Sequence, residues 1–202
     1  MLQHLTLKVH HTCKMIIAYL GRDVKDYRKN SLRNLARLKI LCPECGGNTA
    51  LHGSYDRHVH IEDKIEWIVI QRVICSGCGK THAVIPDFIK PYKHYSTGDI
   101  EFVLRDVEDG VSPEHVDTAA SDSTIKRWIW EFRLKGLQAA GALRALLNRL
   151  FDKAINEIRF TGLKIFGALE YTLGHFPAIE SSNLAIGEAN LWLTNHMTAV
   201  YV

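Results

Sequence analysis

The sequence predicts an α+β fold from three observations. Two Cys-x-x-Cys-Gly stretches, Cys42-Pro43-Glu44-Cys45-Gly46 and Cys75-Ser76-Gly77-Cys78-Gly79, enclose residues patterned as two strands. At Ser96 the apolar spacing becomes helical. After Gly136 the chain is helical again, with Leu143, Leu147, Leu150, Phe151, Ala154, Ile155 and Ile158 in one long stripe. The predicted architecture is a small N-terminal ribbon of three short antiparallel strands within residues 15–90, a helix-turn-helix unit of three helices over 91–135, and a helical C-terminal region over 136–202. Residues 1–14 have no clear period and read as a poorly ordered extension.

The paired cysteines organise the ribbon. Two residues between thiols let a tight turn aim both sulfurs at one metal, and the glycines let the backbone curl beneath it. Cys42, Cys45, Cys75 and Cys78 then form a closed four-thiolate set. With no position left for water or substrate, this is the pattern of a structural Zn²⁺ site and not of a catalytic one. Iron bound by the same four thiolates is the rival metal, and the basic charge of the segment counts against it. A pair of disulfides is the simplest alternative; a chain without a secretory signal favours metal. Cys13 has no partner in sequence and reads as incidental. His52, His58, His60 and His82 lie nearby but are not needed as ligands once four thiols are in place.

Composition bounds the rest. The chain has 202 residues, 47% hydrophobic and 23% charged, which suits a globular protein. No run approaches 18 apolar residues, and the N-terminus lacks the pattern of a signal peptide, so a cytoplasmic protein without membrane contact is expected. The net charge of +3 is unevenly placed. Residues 1–95 carry 15 Lys and Arg against 8 Asp and Glu, residues 96–135 carry 5 against 9, and residues 136–202 balance at 5 and 5. The basic surface is therefore expected on the metal-binding half.

Along the chain, Met15 to Gly21 predicts a short buried strand. Asp23 to Lys39 predicts a helix with Tyr27, Leu32, Leu35 and Leu38 on one face and with exposed cations, which a solvated face explains more simply than phosphate contact does. Ala50–Val59 and Ile65–Ile74 predict a hairpin turning at Glu62-Asp63-Lys64, and Thr81–Ile85 a third strand ended by Pro86. So small a ribbon is expected to depend on its metal for folding. Pro86 to Tyr95 reads as a linker, more simply packed on the ribbon than touching nucleic acid.

Ile100, Val103, Leu104 and Val107 follow a cap at Ser96/Thr97 and precede Gly110, predicting a first helix. Ser112-Pro113 predicts a short second helix to Ala119/Ala120. Ser121 opens a third, with Ile125, Trp128, Ile129 and Phe132 buried. In a helix-turn-helix the start of the third helix enters the major groove. Ser123, Thr124, Lys126 and Arg127 are thus the candidate readers, with Arg133 toward the backbone, while Arg57, Arg72 and Lys80 of the ribbon are candidate phosphate contacts. A plain packing module is the alternative. Ser182 to Met197 predicts a last helix; with the preceding stripe it closes the domain or offers a homodimer face.

The tandem knuckles, the linker Val84–Ser96 (VIPDFIKPYKHYS) and Ser123–Phe132 (STIKRWIWEF) resemble an uncharacterised bacterial family of the domain-of-unknown-function 6431 type, associated with transposase genes. The resemblance spans about Met15 to Arg133. It implies a zinc ribbon with a helix-turn-helix like that at the N-terminus of insertion-sequence transposases, and Met15 as the start. The expected function is a zinc-dependent, non-enzymatic double-stranded DNA-binding protein of mobile-element origin. A protein–protein adaptor, or an accessory subunit of a separately encoded transposase, is the alternative. An active transposase needs an acidic triad on an α/β core, whereas residues 136–202 offer only Asp152, Glu157, Glu170, Glu180 and Glu188 on a helical pattern. No nucleophile–base pair or phosphate loop is legible.

Overall fold

The computed structural model describes residues 15–62, 64–154, 162–177 and 184–199. The expected extension over 1–14, Cys13, Asp63 of the hairpin turn, Ile155 and Ile158 of the apolar stripe, Glu157, Glu180 and the start of the last predicted helix at Ser182 lie outside them.

The α+β class holds, but the ribbon of three antiparallel strands does not. The chain builds one four-stranded mixed sheet in the order β1-β4-β3-β2. Its strands are β1 (Ile16–Ala18), β2 (Thr49–Ile61), β3 (Lys64–Cys75) and β4 (Thr81–Pro86). β1 runs parallel to β4, with Ile16 opposite Val84 and Ala18 opposite Pro86. All three β1 residues are buried, and a short strand apolar on both faces is the kind that joins a sheet in parallel under cover. β2 and β3 form a long antiparallel hairpin, Thr49 opposite Cys75 and Ile61 opposite Lys64, with a register shift between Leu51 and Gly53. At 13 and 12 residues these strands are longer than expected.

This sheet has a core of its own. Helix α1 (Val24–Arg37), capped by the Asp23 side chain on the Asp26 N–H, packs on it through Tyr27, Ser31 and Leu35. Tyr27 joins Ile16, Ile17, Leu20, Val59, Ile68, Ile70, Val84, Ile85 and Phe88 in one buried cluster. Leu32 and Leu38, predicted on the buried face, are exposed. The i, i+4, i+8 row of Tyr27, Ser31 and Leu35 faces the sheet instead, a polar residue at its centre having hidden it in the sequence.

The predicted helix-turn-helix also needs correction. Helix α2 (Thr97–Glu108) is capped by Ser96, whose Oγ accepts from the Asp99 N–H at 3.0 Å. The expected second helix is only a single 3-10 turn, Pro113–His115. It stops because Val116 is extended and the Thr118 hydroxyl accepts the Ala120 N–H, a local bond that competes with helix. The third helix does not end near residue 135. Helix α3 runs unbroken from Asp122 to Phe151, 30 residues. Gly136, which reads as a terminator, is buried inside it where Ile165 crosses closely.

Helices α4 (Ile165–Leu173) and α5 (Ala185–Ala199) pack on α2 and α3 around Ile100, Val103, Leu104, Ile125, Trp128, Leu143, Leu147, Phe166 and Ile186. The acids of α2 hold this arrangement. The Glu108 carboxylate accepts the Ile165 and Phe166 N–H groups at the start of α4. Glu101 accepts from Arg105 and from the Ile186 N–H of α5. No helix among the described residues is long and apolar enough to cross a membrane.

Candidate metal centre

The two knuckles fold alike because their sequences repeat. The Cys42 N–H donates to the Gly47 carbonyl and the Cys75 N–H to the Lys80 carbonyl, both at 2.9 Å. The Gly46 N–H closes on the Cys42 carbonyl and the Gly79 N–H on the Cys75 carbonyl. Gly46 and Gly79 occupy the same left-handed conformation, φ 72 and 70, which favours glycine. A Cβ on Gly47 would stand 3.1 Å from the Cys75 sulfur, so the second glycine of the first knuckle makes room for the opposite thiol. Ser76 binds the Asn48 carbonyl and Lys80 pairs with Glu44 at 3.3 Å, tying one knuckle to the other.

The four sulfurs of Cys42, Cys45, Cys75 and Cys78 lie within 4.8 Å of one another. Cys42 and Cys78 are separated by 3.7 Å, and Cys45 and Cys75 by 3.4 Å. Tetrahedral Zn–S bonds of about 2.3 Å set sulfurs about 3.8 Å apart, so the cluster fits a zinc ion closely. Backbone N–H groups of Glu44 reach the Cys42 sulfur, and those of Gly77 and Cys78 the Cys75 sulfur, at 3.3–3.5 Å. The Cys78 N–H, ahead of the Gly77 N–H, draws the Cys75 thiol down to about 6. The Gly47 N–H acts to lower Cys45 too, but the crowding thiols of Cys75 and Cys78 push it up to about 12. Burial raises Cys42. Four adjacent thiols cannot all ionise alone, and a bound dication removes that conflict, which is the chemistry of a metal site.

One contributor escaped the sequence reading. His82 is buried, with its Nε2 3.3 Å from the Cys42 sulfur, so it supports a ligand from behind. Strand alternation held the signal: His82 shares the inward phase of Val84 on β4. Of the other histidines, His58 stacks on His94 with ring centroids 4.3 Å apart, His60 stacks on Tyr95 at 4.6 Å, and His52 is exposed.

The cations singled out in the sequence occupy different settings. Arg57 is buried and donates to the Lys90 and Lys93 carbonyls, so it holds the linker instead of facing solvent. Arg72 donates to the Thr81 hydroxyl at 2.9 Å, and Lys80 is paired as above. On α3, Ser123, Lys126, Arg127 and Arg133 are exposed. Thr124 is half-buried, its hydroxyl 3.0 Å from that of Ser121. The first-helix pair Arg28–Glu66 closes at 2.8 Å.

Residues 42–128 match the model of a family described only as a domain of unknown function, DUF6431. The match takes in all four cysteines, the linker, α2 and the start of α3. No curated protein and no solved structure matches the chain.

Proposed function

We propose that this protein is a non-enzymatic, double-stranded DNA-binding protein, in which a four-thiolate Zn²⁺ centre fixes the hairpin base and the exposed N-terminal half of α3 meets the duplex. The observation that carries this reading is a contrast among the cations singled out as DNA contacts. Arg57, Arg72 and Lys80 of the sheet half are engaged within the protein, although Lys25, Lys29, Arg33 and Arg37 of α1 are exposed. Lys126, Arg127 and Arg133 are exposed on one helix and form no ion pair among the described residues. Three of the four acids of α2 are taken up within the protein: Glu101 binds the start of α5, Glu108 the start of α4, and Asp99 binds Ser96 and the Glu62 N–H, while Asp109 just beyond the helix pairs with Lys164.

Zinc supplies geometry and charge neutralisation at the hairpin base, not a reactive position. The chain's residues do the binding: Lys126 and Arg127 reach base edges or phosphates, and Arg133 neutralises a phosphate about two turns further on. The association of the resembled family with transposases suggests an accessory targeting role beside a separately encoded transposase. A second reading rests on Trp130, Leu134 and Leu137, 66%, 50% and 52% exposed on the same helix, which would suit a protein partner or a second copy.

Anisotropy titrations of the zinc-loaded protein against a selected duplex and random DNA decide between them. Arg127→Ala is expected to weaken the selected site by about 1–3 kcal/mol and random DNA little. Arg57→Ala would act through folding. Equal binding of both DNAs by wild type and Arg127→Ala removes α3 as a reader and leaves the protein-partner reading.

A further inference from the structure

The linker carries cations that neither the metal centre nor the reading of bases uses. The Lys93 N–H donates to the Lys90 carbonyl at 3.3 Å, closing a turn with Pro91 second and Tyr92 third. Proline presets φ at that second position. Tyr92, however, sits at φ 60, a conformation bulky residues avoid and one that persists only where the surroundings impose it. Buried Arg57 imposes it by donating to the carbonyls at both ends of the turn, Lys90 at 3.1 Å and Lys93. Its Nη1 is buried without a hydrogen-bond partner among the described residues.

Helix α3 closes the other side. Glu131 lies 2.7 Å from the Lys93 ammonium and 3.5 Å from that of Lys135. Lys90, half-buried, lies near Glu131, Lys93 and Lys135 and forms no ion pair among the described residues. Burial holds its ammonium below the ordinary lysine range even with Glu131 close by. Lys90, Lys93 and Lys135 thus share one carboxylate in a partly desolvated seam, and cations so placed favour an oxyanion with several acceptors.

We propose that Lys90 and Lys93 on the strained linker turn, with Lys135 on α3, form a phosphate-binding cradle. Its occupant is a backbone phosphate of the duplex that α3 contacts, so in this form it rests on the DNA-binding reading. A free phosphate or phosphorylated small molecule offers the same chemistry, and the test separates the two.

Two measurements on the full zinc-loaded chain compare wild type with Lys90→Gln, which breaks no ion pair seen among the described residues. One is duplex affinity across a salt series. The other is the melting temperature in inorganic phosphate against chloride at matched ionic strength. The expected result is a several-fold loss of affinity for all sequences alike and a salt slope lower by about one. If wild type and variant bind with the same slope and affinity and phosphate shifts neither melt, the cradle is overturned while DNA binding stands. If wild type binds no duplex but phosphate raises its melt and not the variant's, the cradle holds for a free phosphate and the DNA reading falls. If there is neither duplex binding nor a phosphate effect, both fall.

Discussion

At the scale of single residues, Tyr27 shows how a polar atom is bought into the sheet core. Its ring is 1% exposed and its hydroxyl donates to the Val69 carbonyl at 2.7 Å. Burial, reinforced by Tyr55, pushes its pKa up to about 12 from 10.0. A raised folded pKa means that the unfolded chain loses this proton first as pH rises. The stability it protects is therefore complete below pH about 10 and falls between about 10 and 12. Denaturant melts of wild type and Tyr27→Phe should diverge least at the top of that window. At neutral pH the variant should be weaker by about 0.5–1.5 kcal/mol, the worth of one hydrogen bond. A constant difference from pH 8 to 12 would refute the assignment. Cys45 tests the metal centre in the same way. Cys45→Ser breaks the closed thiolate set, so zinc content measured by metal analysis should drop from one ion per chain. The sheet has a buried cluster of its own around Ile68, Ile70 and Val84, so damage should concentrate at the hairpin base. Well below the melting temperature, hydrogen exchange should quicken most near residues 42–49 and 75–81 and less at Ile68 and Ile70. Unchanged zinc content would rule out Cys45 as a ligand.

At the scale of elements, α3 explains both what was legible and what was not. Its start was readable from the buried stripe of Ile125 and Trp128, and the hairpin from alternating β-branched residues between the knuckles. Its continuation past residue 135 was not, because a glycine reads locally as a helix breaker whereas Gly136 serves a tertiary contact. The single 3-10 turn was hidden for a related reason: Ser112-Pro113 is a sound helix start, but nothing in the pattern reveals that the Thr118 hydroxyl captures the next free N–H. The two glycines of α3 therefore separate propensity from packing. A Cβ on Gly141 meets nothing within 4 Å, so Gly141→Ala should stabilise by about 0.5–1 kcal/mol. A Cβ on Gly136 would lie 2.3 Å from Cγ2 of Ile165, a branch that cannot simply swing away. Gly136→Ala gains the same propensity but must displace α4, and overpacking costs about 1–3 kcal/mol, so the net effect should be destabilising. Chemical denaturation of both variants measures this, and stabilisation by both would mean that the α3–α4 crossing is looser than described.

At the scale of the whole molecule, the buried residues divide into a sheet cluster and a helical cluster that share no member. The four-cysteine centre and the α+β class were visible in the sequence because spacing and periodicity are local. The placement of β1 beside β4 and the capping of α4 by Glu108 were not, since each joins residues tens of positions apart. The same is true of the seam. There His60 stacks on Tyr95, Tyr95 meets Trp128 edge-on at 4.9 Å, and the Ser96 N–H donates to the His60 carbonyl at 2.9 Å. Aromatic and polar contacts and the packing of α5 against β1 join two clusters that share no buried member, so the metal's contribution should fall mainly on the sheet. Zinc binding stabilises only the folded hairpin base, and chelation removes that linkage. Melting of the chelated protein should therefore separate into two steps. Exchange protection at Ile68 and Ile70 should be lost first, with Leu143 and Leu147 of the helical cluster persisting to higher temperature. The zinc-loaded protein should bring the two closer together. If chelation instead lowers protection of Leu143 by as much as that of Ile68, the seam transmits the full loss, and the protein unfolds as one unit rather than two.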